Sequence, residues 1–201
     1  MRTGLTLPTI PTKLIITPLL SDDEFEQLCA ANSDVPLERS KDGEIVVNLL
    51  AEFDTSAGNA EITYQLRAWW KTHRRGRVTG SSLGTFLPDG SSLNPDAAYV
   101  SEEQLTRLSP EETQRFLPFA PAFVIELRSK TDSVREGRDK MGAWRRNGVE
   151  LGWLVDPDSR SVFIFEAGKE MRQETGRQIA GSRPVSGFVL DLDEVWSCYS
   201  V

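Results

Sequence analysis

The segment between residues 122 and 155 places the strongest constraint on the fold of this 201-residue chain. Residues 122–127 (AFVIEL) form an apolar run that is typical of a strand buried on both faces of a sheet. Residues 133–147 have the pattern of a helix closed by Gly148, and residues 151–155 (LGWLV) form a second apolar run. Because a strand, a helix and a strand in this order favour a right-handed crossover, we expect an α/β (α+β) fold with a mixed central β-sheet flanked by helices.

The rest of the chain is consistent with one globular domain. A hydrophobic fraction of 39% and a charged fraction of 26% are ordinary for a globular protein. Residues 1–20, interrupted by prolines, predict an extended N-terminal arm, and residues 21–201 predict a single domain that begins with a capped helix at Ser21. Since no apolar run approaches the roughly 18 residues of a membrane span, we expect a cytoplasmic protein that makes no membrane contact.

Local patterns predict the remaining elements. Helices are expected over 21–32 and 57–72, and residues 102–117 form a helical or irregular excursion. Strands are expected over 44–50, within 78–87, and over 97–100 and 162–165, with an edge strand and a terminal turn in 185–196.

Charge and residue types argue against several kinds of site. The net charge of −7 disfavours a general polyanion-binding surface. Two local basic segments, residues 71–77 (KTHRRGR) and 135–146, are either patches or solvated helix faces. Cys29 and Cys198 lack metal-ligand spacing, and His73, the single histidine, lies near a predicted helix end. A histidine-based zinc site, a Ser/His triad and a disulfide framework therefore have little support.

Two carboxylates lie at strand edges, where a sheet can present oxygen ligands to a hard divalent cation. Asp96 follows Pro95 and precedes the predicted strand at 97–100, which holds its carboxylate beside the sheet. Glu126 ends a run that is too apolar to tolerate a charge without a partner or a metal. The structural alternatives are a Pro-Asp turn for Asp96 and, for Glu126, contact with water or an i, i+2 pair with Arg128.

Lys140 has an unusual position in its predicted helix. Gly137, Lys140, Met141 and Trp144 form the i, i+3, i+4, i+7 row that is expected to face the sheet. The lysine is either a snorkelling amine at the margin of the apolar face or an amine beside two metal-binding carboxylates. In the second case it would steady phosphate charge or help to orient an attacking water, and Gly137 would leave room for that approach.

Together these residues resemble the PD-(D/E)xK nuclease superfamily and, within it, the Uma family of restriction endonucleases, often labelled a bacterial domain of unknown function. The resemblance extends from about Ser21 to Trp196 and rests on the order and spacing of short motifs. These motifs occupy residues 37–39, 42–45, 81–90, 92–100, 124–129, 140–142, 146–157 and 187–190.

The resemblance implies a restriction-endonuclease-like core that hydrolyses DNA. Asp96 and Glu126 would bind Mg²⁺ or Mn²⁺, and a lysine would assist cleavage of the phosphodiester bond. The metal would lower the pKa of a bound water and neutralise charge in the transition state.

One position departs from the superfamily pattern. The pattern has a lysine two residues after the acid, where this chain has Arg128, a group too basic to accept a proton. Lys140 is then a migrated lysine, and Lys130 is the alternative. The resemblance further implies an acid on the first core helix, for which Glu61 is the candidate. Glu61 and Arg128 are the expected supporting residues of the site. The structural alternative for Glu61 is a solvated surface group.

Two other functions stay open. One is a catalytically inactive relative that keeps the nuclease fold as a binding module. The negative net charge and the replacement of the motif lysine by Arg128 are both compatible with it. A plain α/β protein whose motif carboxylates are caps would bind no metal. Paired strand breaks favour a homodimer, in which Trp69 and Trp70 would be buried, unless both rings pack in the core.

Overall fold

The structure is a computed structural model and describes residues 12–15, 19–48 and 51–199. In chain order its elements are β1 (Thr12–Ile15), α1 (Asp22–Ala31), β2 (Leu37–Arg39), β3 (Glu44–Val47), α2 (Phe53–His73), β4 (Arg77–Gly80), β5 (Ala97–Val100), α3 (Glu102–Leu105), a 3-10 turn (Glu112–Gln114), β6 (Phe123–Leu127), α4 (Val134–Arg146), β7 (Leu151–Asp156), β8 (Ser161–Glu166), β9 (Arg172–Thr175), β10 (Gln178–Ala180), β11 (Val189–Asp191) and α5 (Leu192–Ser197). Within these residues no helix is long and apolar enough to cross a membrane.

A six-stranded mixed sheet forms the centre of the molecule, in the order β4-β5-β6-β7-β8-β9. β6 and β7 run parallel and are joined through α4, whereas the neighbouring pairs are antiparallel. This confirms the predicted mixed sheet and its strand, helix, strand unit. The register pairs Ala97 of β5 with Ile125 of β6, so the residues just before β5 and at the end of β6 meet at one end of the sheet.

The period-two alternation of β6 divides the core into two layers. Phe123, Ile125 and Leu127 face α2 and the C-terminal elements, where they pack with Ile62 and Trp153. Val124 faces α4 and packs with Met141 and Trp144, both of which are fully buried. Glu126 has the same parity as Val124 and therefore lies on the α4 side of the sheet.

A smaller sheet, β1-β3-β2, covers α1 through a cluster of Phe25, Leu37 and Ile45. Its strand β2 is tied to the segment before β5 by reciprocal backbone bonds between Arg39 and Ser92, both 2.8 Å. These bonds bring β2 to the end of the central sheet at which β5 begins. β1 falls within the predicted arm and pairs with β3; the rest of residues 1–18 lies outside the described residues. The predicted division at residue 20 stays a prediction.

Several element boundaries differ from the sequence-based expectations. α2 begins at Phe53, and the C-terminal segment ends in helix α5, capped by the side chain of Asp191, where a turn was expected. β9 was not predicted because its residues, RQET, are largely exposed and show no apolar alternation. Of the strand expected over 44–50, Glu44–Val47 is confirmed, and residues 49–50 lie outside the described residues.

Trp69 and Trp70 are partly buried and pack against the core layer on the α2 side. The core-packing alternative is therefore the correct one for both rings. The predicted homodimer stays a prediction.

Gly58 allows α2 to approach β6 closely. A Cβ atom at this position would lie 2.8 Å from Leu127 Cδ2 and 3.1 Å from Tyr199 Oη. The next residue on α2, Asn59, contacts Asp96, so the close approach also positions the end of the sheet at which β5 begins.

We predict that Gly58→Leu destabilises the fold by about 1–3 kcal/mol or more, because the added side chain overpacks the α2–β6 contact. Gly142→Leu on α4 is the matched control, since a Cβ there would meet only the flexible Arg146 Nη1, at 3.3 Å. Urea unfolding of both variants checks this. Equal stability of the Gly58 and Gly142 variants would contradict the prediction.

Candidate active site

Asp96 is held between the sheet and α2. Its Oδ2 accepts a 2.7 Å hydrogen bond from the backbone N–H of Leu127, and its Oδ1 accepts one of 3.2 Å from Asn59 Nδ2. The residue is partly exposed, at the end of the sheet where β5 begins. The turn alternative for Asp96 does not describe these contacts, which run to two other elements of the fold.

Glu126 is buried, with 6% of its surface exposed, and faces α4. Its Oε1 accepts a 2.7 Å hydrogen bond from Trp144 Nε1, and its Oε2 lies 3.0 Å from Lys140 Nζ. The expectation that this charge needs a partner is confirmed. The two alternatives, contact with water and a pair with Arg128, are wrong because the carboxylate is enclosed and its cation comes from α4.

Lys140 lies on the inward-facing row of α4, as its spacing predicts. Its ammonium contacts Glu126 Oε2, Glu38 Oε1 at 2.9 Å and the backbone carbonyl of Asn94 at 2.8 Å. The contact with the Asn94 carbonyl is a hydrogen bond, and the two contacts with carboxylates are ion pairs. Lys140 is therefore an anchored cation among the strand-edge carboxylates, and the snorkelling interpretation is wrong.

Glu38 on β2 is the residue that sequence reasoning missed as part of this cluster. It is 7% exposed, and its Oε1 accepts a 2.8 Å hydrogen bond from the backbone N–H of Asn94 in addition to its ion pair with Lys140. Its strand has only three residues and reads Leu-Glu-Arg, a pattern that does not indicate burial. The available signal was its place in one of the short family motifs.

The cluster of Glu38, Asp96, Glu126 and Lys140 carries excess negative charge. With all four groups ionised, three carboxylates and one ammonium leave a formal charge of −2. Burial raises the pKa of Glu126 to about 8, and the neighbouring acids add to this while Lys140 opposes it. Burial also raises the pKa of Asp96.

Lys140 responds in the opposite sense to burial. Burial alone would lower the pKa of its ammonium, but Glu126, Glu38 and Asp96 together raise it. The amine is therefore charged at neutral pH and is unsuited to accept a proton.

Glu61 is not brought to the cluster. Its Oε1 accepts a 2.9 Å hydrogen bond from Gln65 Nε2. Gln65 also donates to the backbone carbonyl of Asp191, so this face of α2 is turned toward the C-terminal elements of the chain. Residues two apart on a helix point about 200° from each other, so Asn59 and Glu61 face different sides of α2. The α2 residue that contacts Asp96 is Asn59. The expectation that Glu61 is the helix residue of this cluster is therefore corrected.

Arg128 also lies away from the cluster, and its expected supporting role there is corrected. Its Nε donates to Asp156 Oδ1 at 2.7 Å, its Nη2 pairs with Asp158, and its Nη1 donates to the backbone carbonyl of Asp132 at 2.8 Å. These contacts tie the end of β6 to the β7–β8 turn. The alternative lysine, Lys130, is half-exposed and pairs with Asp54 at 3.1 Å, outside the cluster.

The donor chemistry of the cluster fits a hard divalent cation. Mg²⁺ is typically bound by one or two carboxylates, with waters and substrate phosphate completing its shell, and Asp96 and Glu126 are such a pair. Within the described residues no three His, Cys, Asp or Glu side chains are arranged to hold a metal ion. Two buried amide oxygens beside the cluster, Asn59 Oδ1 and Asn94 Oδ1, have no hydrogen-bond partner among the described residues and are further acceptors for a cation or its waters.

The raised pKa of Glu126 predicts how stability changes with pH. In EDTA, the folded protein retains a proton between about pH 4.5 and about pH 8 that the unfolded chain loses, so this group's contribution to stability falls as pH rises through that window. Glu126→Gln, which cannot ionise, should gain stability relative to the wild type from about pH 5 to about pH 8.

Urea unfolding across the window measures the difference. The control is Glu24→Gln: bonding to Ser21 lowers the pKa of the Glu24 carboxyl, so this group is ionised throughout the window, and the variant should differ from the wild type by a constant amount. A constant difference for the Glu126 variant as well would contradict the assignment.

Arg128 is predicted to be structural. Arg128→Met leaves the buried Asp156 without its cation and should cost about 3–5 kcal/mol of unfolding free energy. Arg177→Gln, which removes an exposed and solvent-screened pair with Asp193, should leave the unfolding free energy nearly unchanged. Chemical denaturation compares the two, and a loss below about 1 kcal/mol for the Arg128 variant would refute the role.

Comparison with known proteins identifies the family. The family model Uma2, described as "Putative restriction endonuclease", matches residues 22–193. No curated protein matches the chain. Among solved structures, the crystal structure of "a putative nuclease belonging to DUF820" from Anabaena variabilis has a TM-score of 0.69 and 21% identity, covering 89% of this chain and 98% of the other. That likeness shows a shared fold, and the family match shows that the chain belongs to the Uma2 family.

Proposed function

We propose that this protein is a metal-dependent endonuclease that hydrolyses DNA phosphodiester bonds at the cluster of Glu38, Asp96, Glu126 and Lys140. The observation that carries the proposal is one ammonium enclosed by carboxylates from β2 and β6, next to a third carboxylate before β5. One divalent cation would neutralise the formal charge of −2. Membership of the Uma2 family supports a nuclease, and Mg²⁺ or Mn²⁺ is the proposed cofactor.

Asp96 and Glu126 are the residues that would hold the metal. When bound, a divalent ion supplies a water of lowered pKa and neutralises charge on the phosphate. Leu127 and Asn59 fix the orientation of the Asp96 carboxylate, and Trp144 fixes that of Glu126, so both are positioned before substrate arrives. Such prior positioning is what makes charged groups effective in catalysis.

Lys140 is proposed to act as a fixed positive charge. Its raised pKa keeps it protonated, so it stabilises the charge that develops on the phosphate oxygens as the water oxygen bonds to phosphorus and the P–O bond breaks. Because its ammonium already contacts Glu38, Glu126 and the Asn94 carbonyl, one of these contacts is exchanged for the phosphate. Glu38 and the Asn94 carbonyl hold the amine close to Glu126 while this exchange takes place.

The test is cleavage of supercoiled plasmid and single-stranded DNA with Mg²⁺, Mn²⁺ or EDTA. We expect metal-dependent nicking that falls by about 100-fold or more in Glu126→Gln and Lys140→Met, since loss of one fixed catalytic dipole or charge has effects of this size. Glu61→Gln is the matched control and should cleave like the wild type, because Glu61 faces the other side of α2. Activity retained in both cluster variants would refute the site.

The alternative function is a catalytically inactive nuclease-fold binding module. The anchoring of Lys140 by Glu38, Glu126 and the Asn94 carbonyl is the observation that favours it, because an ammonium that keeps all three partners is not free to contact a phosphate. Calorimetric titration with Mn²⁺ separates the two functions. No heat of binding together with no cleavage would favour the binding module.

A further inference from the structure

A second surface of the molecule is distinguished by its charge. Between Glu61 and Asp89 the sequence contains no acidic residue, although the whole chain has 30 acidic residues and 23 basic ones. The same interval contains five basic residues, which lie on the last two turns of α2, in the turn that follows and at the start of β4. We call them the α2–β4 basic patch: Arg67, Lys71, Arg74, Arg75 and Arg77.

The patch is exposed and almost free of ion pairs. All five side chains are exposed to solvent. In the described part of the chain one carboxylate, Glu102, comes within ion-pair distance of the patch, at 4.0 Å from Arg75 Nε. Surface cations elsewhere are paired more closely: Lys41, Lys169 and Arg177 contact carboxylates at 2.5–2.8 Å. In a protein with a net charge of −7, five neighbouring exposed cations with one carboxylate at 4.0 Å form a locally positive surface.

An aromatic ring, and not a carboxylate, contacts the guanidinium groups of two patch residues, Arg67 and Arg74. The guanidinium carbons of Arg67 and Arg74 lie over the Trp70 ring, 4.0 Å and 5.3 Å from its centroid. Its Nε1 donates a 2.9 Å hydrogen bond to the backbone carbonyl of Gly76, which fixes the turn that leads into β4. Arginines stacked on an aromatic face keep their N–H groups available for a bidentate anion such as phosphate.

Helix α2 and the β4–β5 strand pair both extend from the candidate active site to the patch. Asn59, which contacts Asp96, is twelve residues before Lys71 on α2, a separation of about 18 Å along the helix. In the β4–β5 pair Arg77 lies opposite Val100, four residues after Asp96 and about 14 Å along the strand. These separations correspond to about four to five base pairs of a B-form duplex, so one bound duplex is long enough to reach both places.

We propose that the α2–β4 basic patch binds the phosphate backbone of the same nucleic acid whose scissile bond lies at the candidate active site. The inference rests on the proposed function and extends it by a separate binding surface. Nucleic-acid affinity arises largely from Lys and Arg groups that neutralise phosphates, whereas protein interfaces have apolar centres. Four of the five cations are arginines, whose planar guanidinium groups match the geometry of phosphate, and this favours nucleic acid.

The test measures binding apart from cleavage. In EDTA, fluorescence anisotropy follows a labelled duplex of about 20 base pairs, longer than the separation of the two sites at about 3.4 Å per pair. The patch variant is Arg67→Gln/Lys71→Gln/Arg75→Gln, which retains Arg74 because that residue caps α2 with a left-handed φ of 58°. The control is Lys41→Gln/Lys169→Gln/Arg177→Gln, which changes the net charge equally at paired positions.

We expect the patch variant to bind at least about tenfold more weakly at about 0.1 M salt. The slope of log affinity against log salt should fall by about 2.7, or about 0.9 for each lost phosphate contact. The control should bind like the wild type, and thermal unfolding should show that both variants are folded.

Three results would overturn the inference. Equal losses in the patch and control variants would mean that only net charge matters. Tighter binding of polyglutamic acid than of duplex would indicate an acidic protein partner. Metal-dependent cleavage by the wild type, with duplex binding unaffected in the patch variant, would leave the proposed function standing and refute the patch alone. Patch-dependent binding without cleavage would support the patch while the proposed nuclease activity failed.

Discussion

The ion pairs of Lys140 are the interaction on which the arrangement of this end of the molecule depends. Glu38, Asp96 and Glu126 come from three different strands or strand ends, and carboxylates this close repel one another unless a cation lies between them. The ammonium joins α4 to β2, to β6 and to the segment that leads into β5. Removing that charge would leave the buried Glu38 and Glu126 without compensation, which is among the most costly defects in a folded protein.

The two buried cations near β6 serve different purposes. Arg128 is matched by Asp156 and Asp158, so its cluster is closed and joins the strand to the β7–β8 turn. Lys140 is the single cation among three carboxylates, so its cluster has a larger excess of negative charge than the Arg128 cluster. One of the three acids, Asp96, is also partly exposed. Carboxylates whose pKa values are raised by burial and by neighbouring acids are typical of functional sites.

Sequence reasoning recovered the parts of the site that leave a local pattern. Asp96 precedes a strand, Glu126 interrupts an apolar run, and Lys140 lies on an apolar helix row, and each of these can be recognised without knowing the neighbours. Glu38 leaves no such pattern, because its short strand is buried only through contacts with α1 and with the segment before β5. Glu61 was chosen as an acid on the correct helix, but the rotation of that helix presents Asn59 to Asp96.

The sequence by itself determined the mixed sheet, the β6-α4-β7 unit and three of the four cluster residues. Apolar periodicity and capping residues act over a few positions of the chain and are therefore readable locally. Only the tertiary structure decided that Glu38 completes the cluster and that Arg128 belongs to a separate one, because those contacts join residues 28 or more positions apart. The direction of a buried charged side chain depends on which partner lies within reach after the elements pack, and no local pattern encodes that partner.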